Sequence, residues 1–148
     1  MTVEQVARDF VSHMTDESRT LQLVTPDCQV DGGILPGSLP AREAFKLING
    51  LTAGIPDLRF DIQHVTVNGN QATVDAVWSG TQNGPLTLPM PGMMPIPATG
   101  KHVSVKDRFV VTVQGDKVSH MTVDSPADGG IPGALAQVGA KLPPDLSR

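Results

Sequence analysis

Four residues have types and spacing suited to proton transfer: Asp107, Asp124, Asp31 and His120. Residues 102–113 alternate as a strand does, with Val103, Val105, Asp107, Phe109, Val111 and Val113 on one face and Ser104, Lys106, Arg108 and Thr112 on the other. Asp107 is therefore the charged residue on the apolar side. A carboxylate facing an apolar interior is desolvated, which raises its proton affinity and suits it to general acid or base work. The other reading is a bulge that turns Asp107 outward to pair with Lys106 or Arg108.

In the following strand, simple alternation puts Val118, His120, Thr122 and Asp124 on one face, opposite Ser119, Met121 and Val123. Asp124 is a partner for Asp107 on that pattern, or else a cap for the turn at Ser125-Pro126. Asp31 precedes Gly32-Gly33. Turned inward beside Asp107 it completes a carboxylate pair, one ionised and one protonated, able to enolise a ketone or open an epoxide. Its alternative is a turn-forming role before the glycines. His120 and Trp78 are candidates to orient a substrate oxygen, and Phe109 shares the face of Asp107. His13 falls on the helical stripe Val6, Phe10, His13, from which it reaches the interior or stays at its rim. Met90, Met93 and Met94 lie in a proline-rich apolar segment and are candidates for ligand contact, as a lid or as a dimer contact.

The elements that must position these residues run helices first, then strands. Val3, Val6, Ala7, Phe10, Val11 and Met14 have helical spacing, and Thr2 with Gln5 makes a capping box. A second helix is expected over 16–24 with Asp16 as its cap, then a short strand over 28–31, and a third helix over 41–51 with Ala44, Phe45, Leu47, Ile48 and Leu51 buried. Beyond Pro56-Asp57 the period becomes two. Strands over 58–67 and 72–81 are joined by Asn68-Gly69-Asn70, and strands over 102–113 and 117–124 by Gln114-Gly115-Asp116. Residues 131–138 suit a short closing helix.

Composition narrows the function. With 148 residues the chain suits one domain, 1–148. A net charge of -4 and 3% aromatic residues argue against a nucleic-acid surface. No apolar run reaches the about 20 residues that span a bilayer, and the N-terminus lacks a basic start and apolar core, so a cytoplasmic location is expected. Cys28 is the only cysteine, which leaves no internal disulfide. No His and carboxylate spacing matches a metal site, no glycine loop matches a nucleotide site and no serine sits in an elbow motif, so chemistry without metal or cofactor is expected.

The segments Leu39-Pro40-Ala41-Arg42-Glu43-Ala44-Phe45, Pro56-Asp57-Leu58-Arg59-Phe60, Gly80-Thr81 through Gly84-Pro85-Leu86, Pro97-Ala98-Thr99-Gly100-Lys101 and Gly115-Asp116-Lys117-Val118 occur in an order that resembles the SnoaL-like polyketide cyclase branch of the nuclear transport factor two-like superfamily. The resemblance covers nearly the whole chain. It implies an α+β fold, a cone-shaped barrel of curved antiparallel sheet packed against three N-terminal helices (a cystatin-like α+β roll) around an apolar pocket. It also implies a homodimer and a cofactor-independent cyclase or isomerase acting on a polyketide-like, terpenoid or steroid-like substrate, with Asp124 nearest to the family's acid-base aspartate and Asp31 near the pocket carboxylates of related isomerases and epoxide-opening cyclases. The chain has Ser119-His120-Met121 where the family commonly reads Glu-His-Trp. Epoxide opening and non-catalytic binding of a hydrophobic small molecule are the alternatives.

Overall fold

A computed structural model describes residues 2–33, 37–86 and 95–139, with the side chains of 47–49 and 132 outside the description. Helix α1 (Val3–Ser12) opens on the expected capping box: the Thr2 hydroxyl accepts from the Gln5 amide at 3.1 Å, and the Gln5 side chain accepts from the Thr2 amide at 2.8 Å. Helix α2 (Glu17–Gln22) is capped by Asp16, which accepts from the Arg19 amide. The second helix ends sooner than the sequence pattern suggests. Strand β1 (Val24–Gly32) begins at once and runs through Pro26, because Val24, Cys28 and Val30 all find a place in the core.

A two-residue strand β2 (Leu39–Pro40) leads into α3 (Ala41–Gly54). Ala44, Phe45 and Leu51 are buried as the stripe requires, while Leu47 and Ile48 lie outside the described side chains. Strands β3 (Arg59–Asn68), β4 (Gln71–Thr81), β5 (His102–Gln114) and β6 (Lys117–Val123) follow, and α4 (Gly130–Gln137) closes the described chain. Gly69 and Gly115 have φ of 64°, which the two tight hairpins need and which glycine supplies without steric cost.

The six strands form one sheet in the order β2-β1-β6-β5-β4-β3. It curves without closing. It is also mixed rather than wholly antiparallel, since β1 lies parallel to β6. That pairing follows from connectivity: helix α3 and strands β2 to β5 separate β1 from β6, so no hairpin constrains their direction.

The inner face of the sheet carries two apolar clusters. Val30, Val74, Phe109, Val111 and Met121 pack against Val6, Phe10, Val11 and Phe45 of the helices. Trp78, Val103 and Val105 pack against Leu51 of α3, Ile55 at its C-cap, and Ala134, Leu135 and Val138 at the C-terminal end. Phe10 meets Phe45 edge-on at 5.6 Å. Asp107 sits on this same face, between Val105 and Phe109, where the two clusters adjoin.

Candidate functional site

Strand register places the first candidate. Alternation along β5 buries Val103, Val105, Asp107, Phe109, Val111 and Val113 and leaves Ser104, Lys106 and Arg108 exposed, so no bulge turns Asp107 outward. Asp107 is 6% exposed. Its Oδ1 accepts from the Ser125 hydroxyl at 2.8 Å and the Arg108 amide at 2.9 Å, and its Oδ2 accepts from the Trp78 indole N–H at 3.0 Å. Burial pushes the carboxyl above its ordinary value of 3.8, the three donors pull it back, and the like charge of Asp124 pushes it up again. The result is a dry carboxylate that favours its proton more than a surface aspartate does.

Trp78 and Phe109 extend the site. Trp78 lies on β4 with its ring 6.3 Å from Phe60, and Phe60 meets Phe109 edge-on at 5.9 Å. Three of the chain's five aromatic residues thus form a connected run, Phe109, Phe60 and Trp78, and the only tryptophan directs its N–H to the carboxylate. The sequence offers Trp78 as a group to orient a substrate oxygen; in the structure its ring is packed in the core and its N–H is taken by Asp107.

Asp31 and His120 do meet, but not at this site. Val30 pairs with Met121 and Asp31 with Thr122, and since Val30 and Met121 are in the core, Asp31 and Thr122 point to the opposite face. There the Thr122 hydroxyl donates to Asp31 Oδ1 at 2.8 Å, and His120 Nε2 lies 2.9 Å from Asp31 Oδ2. The Thr122 hydroxyl first, and then His120, hold the Asp31 carboxyl below its ordinary range against a smaller opposing effect of burial. The expected inward pair of Asp31 and Asp107 is therefore not assembled, because the sheet separates them. His120 likewise orients Asp31, not a group beside Asp107.

The reason is a bulge in β6. Thr112 pairs with His120 and Val113 with Val118, so Ser119 is an extra residue. Val118 then joins Met121 and Val123 on the inner side, whereas unbroken alternation groups Val118 with His120. Asp124 follows the outward set and is exposed, and it reaches Asp107 through its charge alone.

His13 is also placed differently from the interior position its spacing allows. It caps α1 at the surface, with Nδ1 2.9 Å from Asp9, and Asp9 also takes Arg19 at 2.9 Å. Met14 takes the neighbouring core position. Met90, Met93 and Met94 lie outside the described residues.

Pattern reading missed two contributors. Ser125 looks like part of a turn, and only tertiary contact brings it to Asp107. Gln82 is fully buried at the base of the Met- and Pro-rich segment, where its amide donates to the carbonyls of Pro97 at 3.1 Å and Ile96 at 3.3 Å and accepts from the Thr99 hydroxyl at 2.7 Å. Leu86 and Ile96 exchange two backbone hydrogen bonds just beyond. The signal for Gln82, one amide beside Gly84-Pro85, is too weak to find in sequence alone. No group of three or more His, Cys, Asp or Glu among the described residues is arranged to hold a metal ion.

Comparison with known proteins agrees with this architecture. The profile of the SnoaL-like domain family matches residues 3–121. The chain belongs to that family. No curated protein sequence matches it. Among solved structures, it is similar to a candidate SnoaL-like polyketide cyclase from Jannaschia sp. CCS1, at 19% identity and TM-score 0.72 over 95% of this chain and 93% of that one. IdmH, a candidate polyketide cyclase from Streptomyces antibioticus, aligns at 15% identity and TM-score 0.73 over 95% of this chain and 100% of its own. An NTF2-like protein from Burkholderia thailandensis aligns at 16% identity and TM-score 0.68 over 95% and 99%. At these identities the likeness establishes the SnoaL-like, NTF2-like fold, which hosts many chemistries.

Proposed function

We propose that this SnoaL-like protein is a cyclase or isomerase that acts on a hydrophobic polyketide-like, terpenoid or steroid-like substrate, with Asp107 as the group that takes and returns the proton. The observation that carries the reading is the buried Asp107 carboxyl on the inner apolar face, fixed by Trp78 and Ser125. In the proposed reaction the ionised carboxylate accepts a proton from carbon next to a carbonyl, the enolate closes a ring or shifts a double bond, and the carboxyl returns the proton. Burial makes the carboxylate a stronger base than it is in water, and hydrogen bonds keep its orientation fixed while charge is transferred.

A second reading has its own support. The acid-base pair expected for an enzyme is divided between two faces of the sheet, and Asp107 already accepts three hydrogen bonds. A binding protein that holds an apolar ligand without turnover needs only the inner face. The two are separated by incubating the chain and its Asp107→Asn variant with small cyclic and open-chain ketones in deuterated water. Deuterium exchange next to the carbonyl in the native chain, lost in the variant, supports the enzyme. Ligand binding with equal, background exchange in both supports the binding protein.

A further inference from the structure

The N-terminal half of β5 has an edge that β6 does not cover, since β6 pairs only with Phe109–Gln114. The C-terminal segment covers it instead. The Gln137 side chain accepts from the Ser104 amide and donates to the Ser104 carbonyl, both at 2.8 Å, as a neighbouring strand would. Ala134, Leu135 and Val138 pack against the cluster that contains Trp78, Val103 and Val105. At the other end of α4, Gly129 lies against the Lys106 carbonyl, and a side chain at Gly130 would strike Ser125 and come within 3.6 Å of Asp107 Oδ2. Gly130 has φ of 61°, so glycine is required there twice over, for the backbone and for the space.

We propose that the segment from Ser125 to Gln137 is part of the Asp107 site: α4 is the cover that keeps the carboxylate dry, and Ser125 is the positioning residue that fixes its orientation. The inference rests on Asp107 as the acid-base group. The two parts act on the proton affinity of Asp107 in opposite directions. The Ser125 hydroxyl stabilises the ionised form, while exclusion of water by the cover destabilises it. The charged surroundings are simple. Asp124 acts from the end of β6, Asp128 lies in the segment itself, β4 offers the uncharged Ala76 and Trp78, the Lys106 and Arg108 side chains are exposed on the opposite face, and α4 has no titratable residue.

The test is a carbon-13 NMR titration of the Asp107 carboxyl in the full chain and in Ser125→Ala, Gln137→Ala and Leu135→Ala. Ser125→Ala removes a donor and leaves the cover, so the Asp107 midpoint is expected to move up. Gln137→Ala and Leu135→Ala loosen the cover without touching the carboxylate, so the midpoint is expected to move down toward 3.8. Gln137→Ala loses only exposed hydrogen bonds and keeps the test open if Leu135→Ala does not fold. An unchanged midpoint in Ser125→Ala overturns the positioning role, and an unchanged or raised midpoint in Gln137→Ala overturns the cover. The titration needs no substrate, so a chain that turns nothing over can still pass, and an active chain can still fail.

Discussion

The bond between Trp78 and Asp107 has a pH signature that packing alone cannot imitate. Trp78→Phe removes the indole N–H that lies 3.0 Å from Asp107 Oδ2 and trims a ring that is 2% exposed. The lost hydrogen bond to a buried charged group costs about 1.5–3 kcal/mol, and the smaller ring costs on the order of 1 kcal/mol more through the cavity it leaves. A double-mutant cycle with Asp107→Asn separates the two contributions. In that variant the amide oxygen stays with Ser125 and the Arg108 amide, which turns the NH2 toward Trp78 and abolishes the bond. Only packing is then lost on going to phenylalanine. The expected coupling energy at pH 8 is about 1.5–3 kcal/mol, measured by urea unfolding followed by far-UV circular dichroism, since Trp78 is the chain's only tryptophan. Because the folded-state pKa of Asp107 is raised, the native state holds this proton more tightly than the unfolded chain. The Asp107 contribution therefore favours folding at low pH and is lost as pH rises from 3.8 through the folded value. The coupling to Trp78 runs the other way and shrinks as the carboxyl is protonated. A coupling below about 0.5 kcal/mol, or one that is the same at pH 4 and pH 8, refutes the reasoning.

Asp31→Asn is expected to destabilise the fold modestly, by about 1 kcal/mol for a half-exposed group. Because its folded pKa is lowered, that contribution is present above 3.8 and lost as pH falls through the folded value, so unfolding curves of variant and native chain should converge in acid. Asp124→Asn removes a like charge and should lower the midpoint of Asp107 in a carboxyl titration. Gln82→Leu leaves buried carbonyls and the Thr99 hydroxyl without their amide partner, which should cost about 2–4 kcal/mol in urea unfolding, whereas Gln82→Glu should cost more at neutral pH than in acid. The Cys28 thiol, pushed up to about 11 by burial and by Asp27, should resist thiol reagents at pH 8 until the protein is unfolded.

The fold was legible where one face of an element is apolar and the other polar. α1, β4 and β5 follow that rule without interruption, and the inward placement of Asp107 came from the same alternation. The rule failed in β6, where one added residue at Ser119 moves every later side chain to the other face. Nothing in Lys117-Val118-Ser119-His120 marks the bulge, because Ser119 and His120 tolerate either face. The parallel pairing of β1 with β6, and with it the meeting of Asp31 and His120, was equally hidden: it joins residues 89 apart in sequence. Ser125 and Gln82 belong to the same class. Their partners come from distant turns and loops, and a polar residue in such a segment reads as solvated until the partners are known.

The division of the aspartates between two faces changes what any mechanism can ask of them. Among the described residues Asp107 alone has the burial that makes a carboxyl a stronger base, while Asp31 is held ionised and half-exposed by Thr122 and His120, where it joins the parallel strands. In the proposed reaction a single inner carboxyl would then both take and return the proton, as a one-base isomerase does, because no second inner carboxyl stands beside it among the described residues. On that proposal the neutral donors at hand among the described residues are Trp78 and Ser125, both bound to the carboxylate itself. A proton gained by Asp107 would weaken its hold on both and, in the proposed reaction, would free a hydroxyl and an indole N–H as negative charge develops on the substrate. Simultaneous loss of exchange activity in Trp78→Phe and Ser125→Ala, with ligand binding retained, is the result this coupling requires; retention of full activity in both would leave Asp107 as a base with no donor among the groups it binds.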